Sequence, residues 1–206
     1  MTLIFISRIF FILLLPLLLI SCQKEIDGLI NGTVSPANQK PKLGTVWTYN
    51  YSVWFSYGGL QYSKTITHKA KSEETLGGEK WLNIVNMETD TTVYYLNTKT
   101  GGLFQFANNG SNLFCKYPAL LNETYTSFND GSSEDFMVKG VNDSIATGIG
   151  TVPVNYYEGV KVGDIIDLIW YNDDAWILWR TVYRKRPPPS GQYYRYSTMF
   201  ISSIVY

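Results

Sequence analysis

Few side chains in this chain can do covalent or metal chemistry. One histidine, His68, and two cysteines, Cys22 and Cys115, are all the imidazole and thiol in 206 residues. A cysteine nucleophile needs an activating neighbour. For Cys115 that neighbour is His68 or nothing, reached through a tertiary contact that a sequence does not specify. The plainer expectation is a small buried thiol, because Leu113, Cys115 and Tyr117 share one face of a strand opposite Lys116. A single histidine excludes most multi-histidine metal sites, and no phosphate loop, nucleotide fingerprint or HExxH helix is present. The acids Asp130, Glu134 and Asp135 lack the spacing and turn glycine of a calcium loop. No cofactor is expected, and the chain reads as a non-enzyme. The catalytic class left open is a glycan hydrolase with two carboxylates, whose separation is a tertiary property.

Aromatic residues are the stronger candidates for function. Six Trp and 16 Tyr are many for this length. Such rings suit glycan or protein recognition, since a flat apolar face packs while a polar edge bonds. On the first strand Trp47, Tyr49, Tyr51 and Val53 fall on one face and Thr48, Asn50, Ser52 and Trp54 on the other, which makes Trp54 an aromatic on the more polar face. Further along, Trp170-Tyr171-Asn172-Asp173-Asp174-Ala175-Trp176 reads as a hairpin tip with acids between aromatics. Candidate ligand contacts are therefore Trp54, Trp170, Tyr171, Asp173, Asp174 and Trp176. The alternative is that Asn172 and Asp173 turn the chain and the rings pack.

The N-terminus speaks to location. An apolar run of about 12 residues, Ile9 to Ile20, suits the core of an export signal and is short for a membrane-spanning helix of roughly 20 residues. It closes on Leu19-Ile20-Ser21-Cys22, which resembles the lipobox of bacterial lipoproteins. That resemblance implies a signal peptide over residues 1–21, lipidation of Cys22, and a lipid bilayer as the first partner. Several acyl chains suffice for stable anchoring. Only Arg8 is charged before Cys22, so an uncleaved anchor is the alternative. Residues 22–43 are polar and broken by Gly and Pro, and read as a tether. Gln23, rather than Asp, follows the cysteine. By resemblance to lipoprotein sorting in enteric-type bacteria this implies the outer membrane. Glu25 and Asp27, diluted by Lys24, leave surface display open.

Beyond the signal, 16 of the 17 basic residues face 17 acidic ones. That balance offers no long-range field for nucleic acid, which is not expected as a partner. The one basic cluster interleaved with aromatics, Arg184-Lys185-Arg186, flanked by Tyr183 and three prolines at 187–189, reads as the edge of a solvated turn, with an anion or headgroup contact as the alternative.

Residues 44–206 read as a single all-β domain. Runs rich in Tyr, Trp, Phe, Val, Ile and Thr alternate with Gly-Gly, Asn-Gly and Asn-Asp pairs. Strands are expected at 45–54, 60–71, 80–87, 91–97, 103–106, 111–117, 134–141, 144–154, 164–171, 175–184 and 193–206. In 60–71, Tyr62, Lys64, Ile66, His68 and Ala70 occupy one face. No helix is present to cover a parallel sheet, so about ten short antiparallel strands in a barrel or two-sheet sandwich are expected. A membrane-spanning barrel is the competitor, disfavoured because regular alternating spans are missing.

Gly44, Trp47 and Tyr49 resemble the Gly-x-x-Trp-x-Tyr opening of small β-rich lipoproteins of Bacteroidetes-like bacteria. That likeness implies location and β content and no chemistry. Two functions of different class follow. One is a non-catalytic binding module for glycan or an envelope protein. The other is a structural or assembly lipoprotein without a small ligand.

Overall fold

The computed structural model describes residues 39–129, 131–161 and 164–206. Cys22, the lipobox and most of the tether lie outside the described residues. Twelve antiparallel strands follow one another: β1 (Val46–Trp54), β2 (Leu60–Leu76), β3 (Glu79–Asn86), β4 (Thr91–Lys99), β5 (Gly101–Ala107), β6 (Gly110–Tyr117), β7 (Thr124–Asn129), β8 (Ser132–Thr147), β9 (Gly150–Lys161), β10 (Ile165–Asn172), β11 (Trp176–Lys185) and β12 (Tyr193–Val205). Each pairs with its sequence neighbour from β1 to β6 and from β7 to β12, and β12 closes back onto β1. The sheet is a nearly closed barrel whose two ends, β6 and β7, lie against each other.

Hydroxyl groups bridge that seam. Tyr125 Oη on β7 donates to the Phe114 carbonyl at 3.0 Å, and Tyr157 Oη on β9 donates to the Lys116 carbonyl. Phe114 and Lys116 are alternate residues on β6, so their carbonyls leave the same edge. Burial pushes both phenol pKa values up, which keeps them protonated donors.

The expected alternation places the apolar face inside. Trp47, Tyr49 and Val53 of β1, Ile66 and Ala70 of β2, Ile169 and Tyr171 of β10, and Met199 and Ile201 of β12 are all buried. This is the reverse of a membrane-spanning barrel, which has a polar lumen and an apolar outer band. A buried ion pair joins adjacent strands inside the barrel. Arg180 Nε donates to both oxygens of Asp167, at 3.0 and 2.9 Å, and a terminal nitrogen of Arg180 donates to Tyr94 Oη at 2.9 Å, tying β11 and β10 to β4.

Two parts of the strand pattern depart from expectation. β7 was not expected, because Thr124-Tyr125-Thr126-Ser127-Phe128-Asn129 is short and largely polar. Residues 134–141 and 144–154 are not two strands joined at Asn142-Asp143. β8 continues through that point, with register shifts at Gly140 and Asp143 and with Asn142 at φ 56°. The turn falls at Gly148-Ile149, where a Cβ on Gly148 would meet the Ser202 carbonyl at 2.2 Å. Only glycine lets the tip of the β8–β9 hairpin approach β12 that closely.

One end of the barrel is plugged. The β10–β11 tip is held there by Trp47 Nε1 to the Ala175 carbonyl (3.0 Å), Tyr49 Oη to the Ile177 carbonyl (3.1 Å) and Tyr206 Oη to the Asp174 carbonyl (2.9 Å). Trp176 adopts φ 67°, a costly conformation for a bulky residue, and its ring stacks on Trp47 with centroids 5.4 Å apart.

Candidate functional site

At the opposite end, near the close of β1, the interior opens into a cavity of about 430 Å³. That falls within the range of roughly 300–1,000 Å³ usual for small-ligand sites. Six strands supply its wall. Tyr51 comes from β1, Tyr62, Lys64 and His68 from β2, Asn86 from β3, Thr91 and Tyr94 from β4, Arg180 and Arg184 from β11, and Tyr196 and Ser197 from β12. On β2 the inward face that buries Ile66 and Ala70 deeper in the barrel carries Tyr62 and Lys64 towards solvent, so one strand is apolar at the core and polar at the mouth. Tyr196 owes its place to a register shift: Val182 faces Ser197 and Tyr183 faces Arg195, leaving Tyr196 as the extra residue of a bulge.

The floor is packed. A hollow of only about 20 Å³ lies among Trp47, Tyr49, Ile84, Leu96, Trp176 and Ile177, and shares His68, Tyr94 and Met199 with the mouth. His68 is buried beside the Tyr49 ring, and desolvation lowers its pKa to about 4, so it is neutral at pH 7. The Tyr51 phenol is pushed up by burial and by Tyr62 and Tyr196.

Charge at the mouth is positive. Lys64 pairs with Glu88 at 3.1 Å, an exposed contact. The Arg184 guanidinium lies 3.6 Å from the centroid of the Tyr196 ring. Asp167 is held beneath by Arg180, and among the described residues no Asp or Glu lines the cavity. Four phenols, two hydroxyl or amide side chains from β3 and β4, and cationic groups therefore converge on one space. The arrangement can accept and donate many hydrogen bonds and offers ring faces, but it presents no paired carboxylates for acid–base cleavage.

A second hollow, of about 510 Å³, runs over β7, β8 and β9, with Asp135, Lys139 and Glu158 along it. It is larger, but three consecutive strands of one wall form it, so its groups do not converge as they do at the mouth.

The residues expected to contact ligand fall in four places. Trp54 is half-buried, with the Arg195 guanidinium 5.2 Å from its ring, and does not line the mouth. Trp170 stands in a row across the outer wall, its ring stacked on Tyr156 at 4.6 Å and on Trp179 at 4.3 Å, with Phe200 edge-on to Trp179. Both faces of the Trp170 ring are thus occupied. Trp176 is buried in the core cluster. Tyr171, Asp173 and Asp174 are brought together at the plugged end, with Tyr117, Asn142 and Asn155, around a hollow of about 150 Å³. There Tyr171 Oη donates to Asp173 at 2.8 Å and Lys40 pairs with the same carboxylate. Cys115 is fully buried, and burial raises its thiol pKa well above the ordinary value.

The mouth residues were not among the sequence candidates. Their signal was present in β2, where Tyr62 and Lys64 share the face of Ile66. Arg184 follows Arg180 and Val182 in plain alternation along β11, whereas the contribution of Tyr196 depends on a bulge that no spacing reveals. No family model matches the chain, and neither a curated protein nor a solved structure shows significant similarity to it.

Proposed function

We propose that this chain is an envelope lipoprotein, anchored to the outer membrane through Cys22, whose barrel is a non-catalytic binding module for glycan. The observation that carries the binding function is the mouth: a cavity of about 430 Å³ where Tyr51, Tyr62, Tyr94 and Tyr196 converge with amide, hydroxyl and cationic groups above a packed floor. Phenols with both a ring face and a hydroxyl match the alternating apolar and hydroxylated faces of a sugar. The lipobox-like Leu19-Ile20-Ser21-Cys22 supports the anchor. Its test is incorporation of a labelled fatty acid in wild type and not in Cys22→Ser. The binding module is tested by a glycan array probed with the full chain; a blank array opposes it.

A second function is favoured by a different observation. Trp176 is buried, while Leu120 and Leu121 are 74% and 60% exposed after β6. Apolar side chains presented to solvent in this way suit an assembly lipoprotein that contacts another envelope protein. A blank array together with reproducible co-purification of one envelope protein, lost in Leu120→Ser/Leu121→Ser, supports it over the glycan module.

A further inference from the structure

The ligand class can be narrowed by the charges at the mouth, given that the mouth is a glycan site. Arg184 lies flat over Tyr196, with its guanidinium carbon 3.6 Å from the ring centroid. This contact fixes the plane of the guanidinium and engages its face. The edge, which carries the N–H donors, is not consumed by a stacking contact, and a planar fork of donors matches a carboxylate in bidentate fashion. None of the ion pairs among the described residues involves Arg184, whereas Arg180 deeper in the barrel is committed to Asp167. Lys64 adds a second cation to the same wall, and its one carboxylate contact among the described residues, with Glu88, is between exposed groups at 3.1 Å. Such a pair is worth little and exchanges readily for a ligand anion. No Asp or Glu lines the cavity among the described residues, so the carboxylate a ligand anion must displace is the rim Glu88 paired with Lys64.

We propose that the barrel mouth binds an acidic saccharide, with the carboxylate of a uronic-acid-like sugar seated on Arg184 and Lys64 and its ring against Tyr62 and Tyr196. The cavity of about 430 Å³ limits the bound part to one or two sugar rings. A neutral sugar of the same shape would leave Arg184 without its anion and bind more weakly. Arg184 is exposed, and its removal leaves the buried Asp167–Arg180 pair intact, so the variant Arg184→Gln should fold.

The test is calorimetric titration of the full chain, wild type and Arg184→Gln, with digalacturonate and with its neutral counterpart galactobiose, backed by arrays of acidic and neutral glycans. The expected result is binding of acidic sugars that weakens with added salt. Arg184→Gln should reduce that affinity by roughly ten- to a hundredfold, as loss of a charge-assisted pair predicts, while any weak neutral binding stays unchanged. Neutral sugars binding as tightly as acidic ones, with Arg184→Gln without effect, would overturn the acidic preference and leave the glycan module standing. Absence of binding to every acidic and neutral glycan would overturn both.

Discussion

At the residue scale, burial decides which side chains are available to a ligand. Trp176 was an attractive candidate on sequence, between acids at a hairpin tip, and its ring instead fills the plugged end against Trp47. Large aromatic-to-alanine changes in a core typically cost about 3–5 kcal/mol. Trp176→Ala should fall in that range, measured by denaturant unfolding, because alanine at φ 67° keeps the left-handed strain while losing the ring. His68 gives a signed pH dependence. Its folded value of about 4 lies below the ordinary 6.5, so the neutral form is the one the fold accommodates. Its contribution is complete above pH 6.5 and is lost as pH falls towards 4, at most on the order of 3 kcal/mol. Unfolding free energies at pH 7 and pH 4.5 should differ less in His68→Gln than in wild type, and equal pH slopes in the two proteins would contradict this assignment.

At the element scale, strands with strict alternation could be read from sequence and those with register shifts could not. In β1 and β2, Trp47, Tyr49, Ile66, His68 and Ala70 lie inside as their spacing requires. In β8 the pair Asn142-Asp143 looks like a turn, yet it is an irregularity within a continuous hairpin, because a residue of positive φ serves a bulge as well as a turn. β7 escaped notice because its six residues are largely polar, and it pairs with β8 on one side only. The same one-sided pairing explains the tyrosine bridges at the seam. Tyr125→Phe and Tyr157→Phe each remove a hydroxyl from a β6 carbonyl and should each destabilise by about 1 kcal/mol or somewhat more, because the carbonyl loses its partner. Amide exchange in β6 and β7 should quicken in these variants, while exchange in β1 and β12 remains slow; uniform acceleration over the barrel would show that the bridges do not act locally.

At the scale of the whole molecule, the barrel is closed and packed at one end and open and polar at the other. The class of fold was legible in the turn spacing and in the lack of helices, although barrel and sandwich were equally open until β12 was seen to pair with β1. The site was legible only in part. Tyr51, Tyr62 and Lys64 lie on the inner faces that alternation assigns, but which ends of β11 and β12 meet them follows from closure, which joins residues more than a hundred positions apart. At the mouth Tyr62, Lys64 and Arg184 are exposed and Tyr196 is half-buried, so replacing these four should change stability by no more than about 0.5–1 kcal/mol, and binding and folding can be measured separately. The most direct measurement is therefore a glycan array probed side by side with the full wild-type chain and with Tyr62→Ala/Tyr196→Ala, both shown to unfold at the same temperature. A site at the mouth predicts glycan binding by wild type that the double variant loses. A blank array for wild type, or glycan binding that survives in the double variant, would contradict it.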